Sequence, residues 1–236
     1  MIEENKIYFG DALKVLATFP DESIQMCVTS PPYWALRDYN AEGQIGNESH
    51  FNDYITNLCN VFDEVMRVLR KDGSCWVNIG DTYYGGCGGP QSFERENRGI
   101  EWHEKSDKNP HRKDDIEGMR RKCLLQIAPR FAIEMINRKW ILRNEIIWHK
   151  PSCMPESVKD RFTVDFEKLF FFTKSEKYYF EQQFENYSLA GIQRMNYDYG
   201  RNKNELDRKC SGAPEGKKQI NEYGRNKRCV WSITNK

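Results

Sequence analysis

The sequence predicts an α/β fold, and three observations carry that prediction. Twice an apolar pattern of helical period runs into a short buried-strand pattern, and a third apolar strand is halted by two consecutive prolines. The first strand is Ile24–Thr29, preceded by the turn-like Pro20-Asp21-Glu22-Ser23 and stopped by Pro31-Pro32. From Asp53 to Leu69, Ile55, Leu58, Val61, Phe62, Val65, Val68 and Leu69 recur at spacings of three and four. Asn52 or Asp53 is the expected N-cap, and Lys71-Asp72-Gly73 the expected stop. Ser74–Ile79 is then the next strand, entered through a short Asp-Gly turn.

The second helix-to-strand unit spans Leu124–Lys139 and Trp140–Trp148. Pro129 interrupts its first turns, so the helix is expected to begin near that residue. Glu167–Thr173 and Tyr178–Phe180 complete the expected strands, and there is no internal repeat. Between the two units lies a long loop at about 85–122, opening with Tyr84-Gly85-Gly86-Cys87-Gly88-Gly89-Pro90. Its glycines match neither G-x-G-x-x-G nor a Walker loop, which favours a flexible hinge over a phosphate cradle. Residues 181–228 form a second irregular stretch, rich in Asn, Lys, Arg, Tyr and Gly.

Composition narrows the class. With 236 residues and 39% hydrophobic residues there is material for one core, and no apolar run approaches the roughly 20 residues that span a bilayer. The first ten residues lack the basic and apolar regions of a signal peptide, so a soluble cytoplasmic protein is expected. None of the eight cysteines is spaced as C-x₂-C or C-x₄-C, and the four histidines form no H-x₃₋₅-H pair. No metal site is expected, and dispersed reduced thiols are favoured over disulfides.

A formal net charge of +1 conceals segregation. Residues 1–70 hold 5 Lys/Arg against 11 Asp/Glu, residues 120–150 hold 8 against 2, and residues 181–236 hold 11 against 7. Such polarity suits a nucleic-acid partner once a chemical motif accompanies it, although charge runs are commonly solvated surface.

That motif is Thr29-Ser30-Pro31-Pro32-Tyr33-Trp34, at the carboxyl end of a buried strand, where ligand sites of open α/β sheets lie. The bland alternative is a strand stop with two aromatics packed nearby. The chemistry suits methylation of an exocyclic amine on a base, whose lone pair is delocalised into the ring. A Ser30 hydroxyl and a rigid Pro31 carbonyl accept its N–H bonds and turn the lone pair toward a methyl donor. Tyr33 offers a face to a base drawn out of its stack, and Trp34 a wall. Methylation at cytosine carbon 5 uses a thiol nucleophile, usually within Pro-Cys, and the sequence has no Pro-Cys.

The chain resembles the beta group of amino-methylating DNA methyltransferases, the circularly permuted kind in which the catalytic half precedes the cofactor half. Gly10-Asp11-Ala12-Leu13, Thr29–Trp34 with Leu36-Arg37-Asp38-Tyr39, Gln44-Ile45-Gly46, Val68–Gly73, Asn78–Tyr83, Leu142–Pro151, Met154–Arg161 and Arg225–Trp231 carry the likeness in the family's order. It implies a Rossmann-like sheet dependent on S-adenosylmethionine, with residues 1–180 as catalytic region and the basic 181–236 as DNA-recognition region. Ser30, Pro31, Pro32 and Tyr33 match the catalytic motif, and serine in first place resembles the cytosine-N4 subgroup more than the adenine-N6 one. Asp11 matches the acidic residue that meets the cofactor's adenine, with Ser30 and Pro31 also beside the cofactor. An N-cap role for Asp11 is the alternative.

Trp34, Arg37, Asn78, Asp81 and His149 are the candidate pocket residues. Asp81 serves equally as a cap, and His149 equally as a structural hydrogen-bonding residue. The expected partner is double-stranded DNA with a flipped target base. One family element has no counterpart: no F-x-G-x-G, the turn that holds the cofactor's methionine, occurs. The sheet is therefore expected to be incomplete, and three explanations stand open. A second subunit supplies the missing strands, the chain is an inactive or DNA-binding remnant, or copies associate through the open edge.

Overall fold

A computed structural model describes residues 2–84, 119–195 and 221–234. The glycine-rich hinge and most of the expected loop at 85–122 lie outside the described residues. So does the part of the basic segment at 196–220.

The described chain divides into two units, Met1–Tyr179 with Cys229–Lys236, and Phe180–Arg228. Residues 229–234 fall in the larger unit. The larger unit holds α1 (Ala12–Ala17), β1 (Ile24–Thr29), α2 (Phe51–Val68), β2 (Leu69–Ile79), α3 (Ile127–Asn137), β3 (Ile141–His149) and β4 (Phe166–Thr173). The smaller holds β5 (Phe184–Glu185), α4 (Leu189–Met195) and β6 (Arg225–Asn226), and β7 (Val230–Ser232) returns to the larger.

The five-stranded sheet has the order β1-β2-β4-β3-β7. β1 is parallel to β2 and β3 to β7, whereas β4 runs antiparallel to both its neighbours. The carboxyl ends of β1, β2, β3 and β7 and the amino end of β4 therefore meet on one edge. On one face Cys75, Val77 and Ile79 of β2 and Phe170 and Phe172 of β4 have no exposed surface, and they join Leu58, Phe62, Phe131 and Met135 of α2 and α3 in the core. Phe62 and Phe131 meet across the two helices with ring centroids 5.3 Å apart. The opposite face stacks Trp76 on Phe171 at 4.1 Å.

Four expectations are corrected. The cap of α2 is His50, whose Nδ1 accepts from the Asn52 amide at 3.0 Å, so the helix begins before Asn52 and Asp53. Leu69 passes straight from α2 into β2, and Asp72-Gly73 falls inside the strand. There the register jumps: Leu69 lies opposite Ile24, and Ser74 opposite Met26. A Cβ at Gly73 would stand 2.8 Å from the Gln25 carbonyl oxygen, so glycine is fixed by this close strand approach. The helix α3 starts at Ile127, two residues before Pro129, because a proline in the first turn forfeits an amide that has no intrahelical acceptor. Finally, Tyr178–Phe180 is no strand: Tyr178 turns to accept from Arg143 Nε at 2.8 Å and to pack edge-on against Phe171.

In the smaller unit Glu185 pairs with Arg225 in the two-stranded ladder, and its carboxylate accepts from Arg228 Nε at 2.6 Å. Among the described residues, no helix is long and apolar enough to cross a membrane.

Candidate active site at the carboxyl edge of the sheet

β1 delivers Ser30 to the edge beside the end of β2, since Thr29 lies opposite Val77. Pro31 is buried, and the Pro32 carbonyl is fixed by the Tyr54 hydroxyl at 2.9 Å. Burial pushes the Tyr54 phenol far up, so it remains a donor. The chain then turns back tightly. Ala35 adopts a φ of 71°, its amide donates to the Gly46 carbonyl at 2.9 Å, and a Cβ at Gly46 would press within 3.2 Å of the Tyr33 carbonyl oxygen.

This turn aims the Tyr33 ring across the end of β2. A Cβ at Gly80 would lie 2.6 Å from Tyr33 Cε2, so the ring rests directly on that backbone. Its hydroxyl lies 2.8 Å from Asn78 Oδ1 and 3.0 Å from Glu167 Oε2. Ser30 Oγ completes the cluster, 3.3 Å from the Tyr33 hydroxyl and 3.4 Å from Asn78 Oδ1. The Asn78 amide is oriented by donating from Nδ2 to the Lys168 carbonyl at 3.3 Å, which leaves Oδ1 facing Ser30 and Tyr33. Burial above all, with the Glu167 carboxylate adding to it, pushes the Tyr33 phenol up to about 12.

Glu167 stands at the amino end of β4, opposite Trp148. Its Oε1 is gripped by Lys150, whose ammonium also sits 4.9 Å from the centre of the Trp148 ring. Ser30, Tyr33, Asn78, Glu167 and Lys150 thus form one connected polar cluster drawn from β1, β2, β3 and β4. Such a cluster holds several oxygen acceptors in fixed positions, the arrangement an amine donor needs.

The other candidates are held by partners of their own. Trp34 is 7% exposed; its indole donates to the Glu48 carbonyl at 2.9 Å and its ring packs edge-on to Phe51, so it is core rather than pocket wall. Asp81 is a cap: Oδ1 accepts from Thr82 at 2.9 Å and from Ile127 at 3.0 Å, tying the end of β2 to the start of α3. Burial nevertheless raises its carboxyl above the usual range. His149 bridges strands, with Nδ1 2.9 Å from Ser232 Oγ and Nε2 3.6 Å from Asp165. Arg37 lies in an exposed loop, where its carbonyl accepts from Gln44. Asp11 caps α1 by accepting from Lys14 at 3.0 Å, next to the almost fully exposed Phe9.

Glu167, Lys150 and Gly80 join the cluster without having been marked by the motif. A lone carboxylate opening an otherwise aromatic strand was the available signal for the first.

For a methyl donor of the S-adenosylmethionine type the fit is partial. An exposed carboxylate beside an exposed aromatic, Asp11 and Phe9, suits an adenosine end, whereas no F-x-G-x-G stands anywhere in the sequence. Among the described residues no group of three or more His, Cys, Asp or Glu is placed to hold a metal ion.

Comparison with known proteins places the chain in a family. The family model described as DNA methylase, covering N6 and N4 methyltransferases, matches residues 24–236. Type II methyltransferase M.Cfr9I of Citrobacter freundii is 46% identical over 180 residues, 74% of this chain and 56% of its own length. M.SmaI of Serratia marcescens is 42% identical over 75% of the chain and 58% of its own length. M.SfiI of Streptomyces fimbriatus is 38% identical over 92% of the chain and 46% of its own length. The chain thus spans about half the length of these curated relatives. The solved cytosine-N4-specific PvuII DNA methyltransferase aligns over 72% of this chain and 49% of its own, at 23% identity and a TM-score of 0.49. With the family model matching nearly the whole chain around the Ser30–Tyr33 cluster, the protein belongs to the N6/N4 DNA methylase family, whose methyl donor is S-adenosyl-L-methionine.

Proposed function

We propose that this chain forms the base-binding side of a restriction-modification DNA methyltransferase acting on the exocyclic N4 amine of cytosine. The observation that carries the reading is the placement of Ser30 Oγ beside Asn78 Oδ1 and the Tyr33 hydroxyl at a strand end. These oxygens accept the N–H bonds of the amine, which localises its lone pair for attack on a methyl carbon. Tyr33, propped on Gly80, supports the ring of a cytosine swung out of the duplex. A serine at position 30, rather than a carboxylate, favours cytosine over adenine. Arg37 and the basic 181–228 segment suit phosphates of double-stranded DNA, and the cytoplasm is the compartment where such a partner is met.

The site is completed by further strands. Among the described residues nothing pairs with the outer edge of β1, where Met26 and Val28 are 54% and 66% exposed. Strands bearing a methionine-binding turn fit against that edge.

The decisive experiment is radiolabelled methyl transfer from S-adenosylmethionine to mixed-sequence DNA, followed by mass spectrometry of the nucleosides. It is run with the chain alone and with the product of the neighbouring reading frame. N4-methylcytosine is expected from the combination. Methyladenine alone would reassign the base, and absence of transfer under both conditions would remove the reading.

A further inference from the structure

We propose that Glu167 is the terminal proton acceptor of this site, reached from Ser30 through the hydroxyl of Tyr33. The proposal rests on the methyl-transfer reading above and assigns the fate of the proton that the reaction must release.

The amine nitrogen attacks the methyl carbon of a sulfonium donor. A nitrogen–carbon bond forms, the carbon–sulfur bond breaks, and its electron pair stays on sulfur. The nitrogen now carries a methyl group, two hydrogens and a positive charge, and one hydrogen must leave as a proton. Ser30 Oγ accepts it and passes its own hydrogen to Tyr33 Oη, 3.3 Å away. Tyr33 passes its hydrogen to Glu167 Oε2, 3.0 Å away, and the carboxylate becomes a carboxylic acid. Water then takes the proton, since the Glu167 side chain keeps 23% of its exposure.

Three features of the cluster suit a relay rather than a static brace. The Tyr33 hydroxyl has one hydrogen and two acceptors within reach, Asn78 Oδ1 at 2.8 Å and Glu167 Oε2 at 3.0 Å. It switches between them by rotating, with no movement of heavy atoms. Lys150 grips only Oε1 of Glu167, which leaves Oε2 directed at Tyr33. Burial also keeps the phenol protonated at neutral pH, so Tyr33 conducts a proton but does not hold the negative charge itself. Glu167 acts through Tyr33 and does not touch the base; it is a positioning and proton-accepting residue.

The test compares wild type with Glu167→Gln, which keeps shape and an oxygen acceptor but cannot take the proton. Single-turnover methyl transfer is measured across pH with the chain and its neighbouring-frame partner. The tyrosine ring carbons of the chain alone are titrated by NMR. The relay predicts a chemical step slowed at least about tenfold, with DNA affinity held within about twofold. It also predicts a Tyr33 titration moved downward from about 12 in the variant, because a neighbouring negative charge is gone. Formate should restore part of the rate to Glu167→Ala, a rescue that a structural role would not produce. An active wild type matched by Glu167→Gln in rate and pH profile overturns the relay and leaves the methyltransferase reading standing. A wild type silent in every combination removes both.

Discussion

The helix-covered middle of the sheet and its β1 margin are built from the same alternation of residues yet end in opposite states. Under α2 and α3, every core-facing residue from Cys75 to Ile79 is fully buried, and eight residues of α2 and five of α3 are buried with them. On β1, by contrast, Met26 and Val28 keep 54% and 66% of their exposure, and α1 likewise buries none of its residues. The middle is a finished core; the margin has apolar side chains and a strand edge that nothing covers or pairs with among the described residues. Exposed apolar residues on an unpaired strand edge invite association.

The contrast makes graded predictions. Phe170→Ala, in the middle, should lower unfolding stability by about 3–5 kcal/mol in urea titration, since the aromatics around it cannot close the cavity. A loss below about 1 kcal/mol would mean that the core is loosely packed. Gly80→Ala, at the site, should cost about 1–3 kcal/mol and abolish methyl transfer, because the added methyl displaces the Tyr33 ring. Activity at the wild-type level would show that the ring has other ways to seat.

Asp81→Ala should cost about 1–2 kcal/mol through two lost amide contacts at the β2–α3 junction. Its pH dependence has a definite sign. The folded carboxyl is raised above the ordinary value of 3.8, so the folded chain holds that proton more firmly than the unfolded chain. Its favourable contribution is full below 3.8 and is lost as pH climbs through the raised value, and Asp81→Asn should remove that slope from the stability profile. Met26→Ser should give the smallest effect, within about 0.5 kcal/mol for the isolated chain, while weakening capture of the neighbouring-frame product in a pull-down. A large stability loss at Met26 would mean that the margin is covered in the free chain after all.

Much of the architecture was legible because burial leaves a period in the sequence. β1, β3 and β4 fall within a residue or so of the apolar runs that announced them, and α2 follows its three- and four-residue spacing. The Ser30–Tyr33 motif and Asn78 were legible for another reason: prolines and a strand end leave few places for the chain to go. The misread elements depend on distant partners. Tyr178 has the composition of a strand residue but is drawn out by Arg143 and Phe171, and Trp34 reads as a pocket wall until Glu48 and Phe51 close around it.

By itself, the sequence determined the alternation of helices and strands, the motif at the end of β1 and the polarity of charge, since each rests on residues near one another in the chain. Only the tertiary structure decided that Asp81 caps a helix 46 residues away and that Tyr33 meets a carboxylate 134 residues away. It also decided that β1 lies at the edge of the sheet among the described residues. Those outcomes follow from strand order and direction: an antiparallel β4 between two parallel pairs brings its amino end, with Glu167, to the edge where the other strands finish. No local spacing encodes that meeting, because the free energy that fixes it comes from burying the opposite face of the sheet.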